Sequence, residues 1–117
     1  MPKAALGANP ATSVIVGIYA SSGSNPGALL GQATITNPTK GAWSSVAIPS
    51  VTIASGTKYW IAVLGPLGAG TFQFHDVATG GLTQNSSQSN LTSLPATWSP
   101  GPTWANAPMS AYAVQAP

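Results

Sequence analysis

Residues 41–65, with the sequence GAWSSVAIPSVTIASGTKYWIAVLG, favour β-structure throughout and show no helical period. Turn residues divide this stretch into three segments, 43–48, 51–54 and 57–64. The last segment, TKYWIAVL, is aromatic and β-branched, which is typical of a strand buried on both faces. We therefore expect a β-sheet core built around residues 57–64.

Two earlier segments also have the pattern of strands. Residues 14–20 (VIVGIYA) form a continuous apolar run, which predicts a central strand in which Gly17 marks a bulge or close packing. Residues 28–35 (ALLGQATI) predict a second strand, after a turn cluster at 21–27 (SSGSNPG) in which Asn25-Pro26-Gly27 can fold back tightly. Its residues expected on one face are Leu29, Ala33 and Ile35.

Further short strands are predicted at 71–77 and 109–114, and turn residues separate every segment from the next. This pattern predicts an all-β chain, an antiparallel β-sandwich of jelly-roll or immunoglobulin-like type. Residues 1–13 are expected to be an N-terminal arm, and residues 14–117 a single domain. Within that domain, residues 78–108 are expected to be a long loop.

Charged residues make up only 3% of the chain, namely Lys3, Lys40, Lys58 and Asp76. Soluble domains usually carry about 25% charged residues, so the solvated surface here must consist of neutral polar side chains. Such surfaces are commoner on extracellular proteins that adhere, bind sugars or assemble, so we expect an extracellular or cell-surface location. Three scattered lysines make no phosphate-binding patch, which argues against nucleic-acid partners. No apolar run approaches the roughly 20 residues of a membrane span, so membrane insertion is not expected.

Residues that could carry chemistry are few. His75 and Asp76 are adjacent, so on a strand they point to opposite faces and cannot act as a pair. A second acid for glycoside hydrolysis is missing, and the chain has no cysteine. We expect no catalytic residue, no cofactor and no metal ligand; a calcium site that combines backbone carbonyls with Asp76 is the alternative.

Several residues together match the pattern of a recurrent β-module, namely Tyr19, Pro26, Gly27, Leu29, Leu30, Gly41, Trp43, Pro49, Gly56, Thr57, Tyr59, Ile61 and Ala62. In these residues the chain resembles an uncharacterised β-sandwich module found in secreted multidomain bacterial surface proteins. The likeness implies an accessory, surface or glycan-associated role, without catalytic residues to transfer. Such modules usually begin with about two more strands upstream of Val14, which this chain replaces by residues 1–13. We therefore expect an incomplete sandwich that a neighbour's strand or arm completes, in a homo-oligomer or filament.

Two functions follow from these observations. The first is a non-catalytic extracellular module for assembly or adhesion, such as a subunit of a surface polymer. The alternative is a carbohydrate-binding module, because tryptophan rings cover sugar C–H faces while amides bind the hydroxyl groups. Its expected platform consists of Trp98, Trp104, Asn106 and Tyr112. The competing interpretation is that Trp98 and Trp104 only fold the long loop onto the sandwich.

Overall fold

The computed structural model describes residues 2–5, 12–38, 43–68, 81–105 and 111–113. These residues form β-strands and no helix, and every strand pairing among them is antiparallel. The prediction of an all-β antiparallel chain is thereby confirmed. The strands are β1 (Pro2–Ala5), β2 (Ser13–Ser22), β3 (Asn25–Thr36), β4 (Trp43–Ser45), β5 (Tyr59–Leu64), β6 (Leu82–Ser86), β7 (Pro100–Ala105) and β8 (Ala111–Ala113).

The described strands form three sheets, with the orders β4-β1-β8, β3-β2-β5 and β6-β7. The second, which we call the central sheet, has β2 in its middle. Residues 14–19 of β2 are all buried, because strands flank both its edges and side chains cover both its faces. The continuous apolar run of the sequence therefore correctly predicts a central strand.

The strand expected at 57–64 is β5, but it is not buried on both faces. Of its six residues only Ala62 is buried, and the others are half-buried. Within the described part of the chain β5 pairs with β2 alone. An aromatic and β-branched pattern fits a half-buried strand as well as a central one, which is why the prediction was wrong.

The turn between β2 and β3 lies at Gly23-Ser24, inside the turn cluster expected at 21–27 but not at Asn25-Pro26-Gly27. Ser22 pairs with Asn25, which leaves a two-residue loop, and Gly23 has a φ of 61°. A positive φ at the first loop residue is typical of type II′ hairpin turns, which favour glycine there. Glycine therefore determines the turn position, and the expected turn residues belong to β3.

A bulge in β3 changes which of its residues share a face. Ile18 pairs with Gly31 whereas Tyr19 pairs with Leu29, so β3 contributes Leu30 as an extra residue. An extra residue reverses the alternation of side chains beyond it. Leu29 consequently lies on the opposite face from Ile35, which corrects the expectation that both lie on one face.

The two faces of the central sheet carry separate clusters. We call the first the valine face; it comprises Val14, Val16 and Ile35 with the half-buried Val46 and Val63. We call the second the aromatic face. Its buried members are Ile15, Tyr19, Ala62 and Leu94, and packed against them are Leu29, Trp60, Leu64 and Trp98.

The strand expected at 51–54 is not formed, since residues 46–58 contain no strand. Val51 and Ile48 instead lie beside Gly31 of β3, so this segment covers the valine face with its side chains. A turn closed by Thr57 N–H and Ala54 C=O (3.3 Å) leads into β5. Strand propensity at Val51 and Ile53 was not enough, because no neighbouring strand among the described residues pairs with this backbone.

The chain ends also differ from expectation. The expected arm, residues 1–13, contains β1, which pairs with β4 and β8 of the same chain. The expected long loop, 78–108, contains β6 and β7, which pair with each other. Both escape a periodicity argument because their residues are short runs of small or polar type. The expected strand at 71–77 lies outside the described residues, and that at 109–114 is described only as β8.

Candidate binding cleft

Residues 94–98 hold the aromatic face of the central sheet in place. Leu29 N–H donates to Ala96 C=O (2.8 Å), and Trp98 N–H donates to Gly27 C=O (2.9 Å). An isolated antiparallel bridge joins Ala28 to Thr97 between these two bonds. Residues 94–98 therefore follow the edge of β3 as an irregular strand, which fixes the side chains that they carry.

Leu94 seats this segment over β2. The amide of Gln32 bonds to the Leu94 backbone twice, accepting from its N–H at 3.0 Å and donating to its C=O at 3.3 Å. Below it lies Gly17, where a Cβ atom would meet Leu94 Cδ1 at 2.6 Å and Gly31 C=O at 2.7 Å. Of the two alternatives for Gly17, the structure shows close packing.

Tyr19 is the largest fully buried side chain of the described residues. Its hydroxyl donates to Pro95 C=O at 2.6 Å, and its ring meets that of Trp98 edge-on, with centroids 5.3 Å apart. Burial raises the pKa of Tyr19 to about 12, since the interior disfavours the charged phenolate. Tyr19 therefore links β2 to residues 94–98 as a neutral hydrogen-bond donor.

Trp98 is held by a buried amide. Its Nε1–H donates to Gln84 Oε1 at 2.7 Å, and Gln84 Nε2 donates to Asn25 Oδ1 at 2.8 Å. Gln84 is only 8% exposed. Because both ends of its amide are bonded, the burial of this polar group is compensated. The chain of bonds ties β6 to the start of β3 and to residues 94–98.

Trp60 lies on the neighbouring strand, opposite Tyr19. Its Nε1–H donates to Ser21 Oγ at 3.3 Å. The ammonium of Lys58 lies 4.7 Å from the centre of the Trp60 ring, a cation–π contact. Lys58 directly precedes β5, two residues before Trp60, and this position brings the cation to the ring.

A cleft of about 400 Å³ opens between β5, β6 and the ring of Trp98. Four aromatic residues line it, of which Tyr59, Trp60 and Trp98 are half-buried and Tyr19 is fully buried, together with the amide of Gln84 and the side chain of Lys58. Such a site offers apolar ring faces for stacking and few fixed polar groups, which is the usual make-up of a small-ligand site. The remaining lining residues are Pro26, Ile61, Ala62, Gly81, Leu82 and Thr83.

The four residues of the expected glycan platform do not come together in the described structure. Trp98 lines the cleft and packs in the aromatic face, whereas Trp104 is 55% exposed on β7, opposite Thr83. Tyr112 lies on β8 in another sheet, and Asn106 lies outside the described residues. The competing interpretation was that Trp98 and Trp104 only fold the long loop onto the sandwich. The contacts of Trp98 with Tyr19 and the aromatic face agree with this interpretation for Trp98.

The sequence interpretation did not include Tyr19, Lys58, Trp60 or Gln84 in the site. One signal was available, namely the spacing of Lys58 and Trp60, which would share a face of the strand expected at 57–64. Nothing in the sequence marks Gln84 among many neutral polar residues, because its burial depends on the pairing of β6 with β7.

His75 and Asp76 lie outside the described residues. The residues that are described contain no cluster of His, Cys, Asp and Glu side chains able to hold a metal ion. Nor does this part of the chain contain a helix with the length and apolarity of a membrane span.

No protein-family model, curated protein or solved structure matches this chain. The likeness to bacterial surface modules therefore stays a prediction from the sequence.

Proposed function

We propose that this chain is a non-catalytic, extracellular β-sandwich module that binds carbohydrate in the cleft of the aromatic face. The observation that carries the proposal is a cleft of about 400 Å³ lined by the half-buried rings of Trp60 and Trp98, beside the fully buried Tyr19. In the proposed sandwich the central sheet supplies one layer, and the cleft lies between its aromatic face and β6.

The rings of Trp60 and Trp98 suit the stacking of a sugar ring. The N–H groups of Trp60 and Trp98 are already bonded to Ser21 and Gln84, so both indoles have fixed orientations. Fixed rings offer apolar faces to the C–H side of a sugar at little cost in side-chain entropy. A second cavity of about 360 Å³, lined by residues 64–68 and 88–91, contains no aromatic ring. That contrast favours the aromatic cleft as the binding site.

The composition supports an extracellular glycan ligand. With 3% charged residues, the chain has the neutral polar surface typical of extracellular proteins that bind sugars or assemble. Its single acidic side chain cannot supply the pair of carboxylates that glycoside hydrolysis needs. Binding without hydrolysis is therefore the activity that the residues support.

The test is calorimetric titration with a glycan panel of soluble oligosaccharides from cellulose, xylan, chitin, mannan, galacturonan and guluronan. At least one member should bind the wild-type chain, and Trp60→Ala should weaken that binding at least tenfold. Trp60→Leu, which keeps the bulk but removes the ring face, should weaken it similarly if the fold is intact by circular dichroism. Trp104→Ala is the matched control and should bind normally. Absence of binding to the whole panel would refute the proposal.

The second candidate function is assembly or adhesion as a subunit of a surface polymer. It rests on large apolar side chains at the surface, since Trp104 is 55%, Leu67 61% and Ile53 55% exposed. Because β1 pairs within its own chain, exchange of an N-terminal arm is not the basis for self-association. Its basis is these exposed apolar side chains. Light scattering after size exclusion, with negative-stain microscopy, should reveal oligomers that Trp104→Ser weakens. A monomer at micromolar concentration would exclude this candidate.

A further inference from the structure

We propose that the cleft is selective for acidic sugars, and that Lys58 binds their carboxylate group. This inference rests on the proposed carbohydrate binding and names the class of sugar. Its basis is the placement of one cation, which has no acidic partner among the described residues, on the ring that would stack against the ligand.

Few charged side chains lie in the described part of the chain. The only acidic side chain of the protein, Asp76, lies outside the described residues, so the described part of the chain contains no side-chain carboxylate. Lys58 lines the cleft and its ammonium lies over the Trp60 ring. The cleft therefore has a local positive charge that no described acidic side chain neutralises.

The contact between Lys58 and Trp60 is easily exchanged. At an exposed site a cation–π contact and an ion pair have similar, small free energies. A sugar that stacks on Trp60 displaces the ammonium from the ring, and a neutral sugar gives it no charged partner in return. A uronic acid supplies both groups at once, since its ring has an apolar C–H face and its carboxylate can accept from the ammonium.

The neighbouring polar groups do not provide the same selectivity. The amide of Gln84 is bonded to Trp98 and Asn25, and the hydroxyl of Tyr19 donates to Pro95 C=O. Both are already engaged within the protein, so Lys58 is the side chain whose charge can discriminate between acidic and neutral sugars.

The experiment compares galacturonan and guluronan oligosaccharides with their methyl esters, which keep the sugar backbone and remove the charge. In calorimetric titrations at low ionic strength, the acidic form should bind the wild-type chain roughly fivefold more tightly than its ester. This preference should disappear in 0.5 M salt, because salt screens an exposed ion pair.

Lys58→Gln should reduce the ratio of acid affinity to ester affinity from roughly fivefold to about one. Lys3→Gln is the matched control, since it makes the same change in net charge on β1, which belongs to another sheet. Equal binding of acid and ester by the wild-type chain, or an unchanged preference in Lys58→Gln, would overturn this inference and leave carbohydrate binding standing. Absence of binding to every oligosaccharide of the glycan panel would overturn both.

Discussion

The two faces of the central sheet are covered in chemically different ways. On the valine face, Val14, Val16 and Ile35 pack against aliphatic side chains that include Val46. On the aromatic face, Tyr19 and Trp98 pack edge to face, and each has its polar atom in a hydrogen bond. Aliphatic groups interdigitate without directional demands, whereas buried phenol and indole groups need partners at fixed positions.

This difference explains why the cleft lies on the aromatic face. The bond from Trp98 to Gln84 links residues 94–98 to β6, and the bond from Gln84 to Asn25 links β6 to the start of β3. Hydrogen bonds of this kind fix the distance between β6 and the central sheet. The aromatic rings do not fill all the space between these two elements. The hydrogen bonds that hold β6 thus leave a cleft beside the half-buried rings of Trp60 and Trp98.

The largest expected effect breaks the aromatic face at its centre. Tyr19→Ala removes a fully buried ring together with its bond to Pro95, and should lower the free energy of unfolding by about 3–5 kcal/mol. Val16→Ala on the valine face removes only two methyl groups and should cost about 2 kcal/mol. Urea unfolding measures both, with the exposed Ile53→Ala as a control expected within about 0.5 kcal/mol of wild type. Equal losses at the two buried positions would contradict the comparison.

The second effect uses pH to distinguish the faces. The pKa of Tyr19 is raised to about 12 in the folded chain and is near 10 when unfolded. Between these values the folded state holds the proton that the unfolded state releases, so stability present below pH 10 is lost as pH rises to 12. The loss should reach about 3 kcal/mol. Urea unfolding at pH 9, 10 and 11 should show the decline in wild type and not in Tyr19→Phe; equal slopes would refute the assignment.

The sequence predicts the central strand β2 better than it predicts the segments that pack on the two faces of its sheet. The apolar run at 14–20 correctly predicts β2 as central, because a strand with side chains buried on both faces needs apolar residues at every position. The bulge at Leu30 and the place of the turn within residues 21–27 could not be located, since each depends on how two strands align. The failed strand at 51–54 shows that propensity alone does not create a pairing partner.

The site was predictable only in part, for a related reason. Trp98 and Trp104 have the same sequence context, rich in proline and glycine, yet one is half-buried against Tyr19 and the other is 55% exposed. What separates them is the amide of Gln84, which bonds Trp98 from a different strand. A local sequence pattern does not encode a hydrogen bond between residues 14 positions apart.

A smaller effect is expected from breaking the hydrogen bonds that hold β6. Gln84→Ala leaves Trp98 Nε1–H and Asn25 Oδ1 without their partner, which should cost about 2 kcal/mol of unfolding free energy. Glycan binding should weaken as well, because the cleft wall is no longer fixed. Gln88→Ala is the matched control, since Gln88 is exposed and should change stability by less than about 0.5 kcal/mol. If thermal or urea unfolding finds both variants equal to wild type, the amide of Gln84 does not hold β6 to β3 and residues 94–98.

The smallest effect on stability is expected at Lys58. Lys58→Met loses only an exposed cation–π contact, so the free energy of unfolding should fall by no more than about 0.5–1 kcal/mol. Urea unfolding of this variant beside Lys3→Met should detect little difference. A loss of several kcal/mol would mean that Lys58 supports the fold, and its selectivity for sugars could not then be separated from folding.

The most direct test of the aromatic cleft is an NMR titration that follows the indole N–H signals of the four tryptophans. On adding each oligosaccharide of the glycan panel, the signals of Trp60 and Trp98 should shift with at least one sugar, while that of Trp104 stays in place. Movement of the Trp104 signal alone, or of no indole signal with any sugar, would contradict the assignment of binding to this cleft.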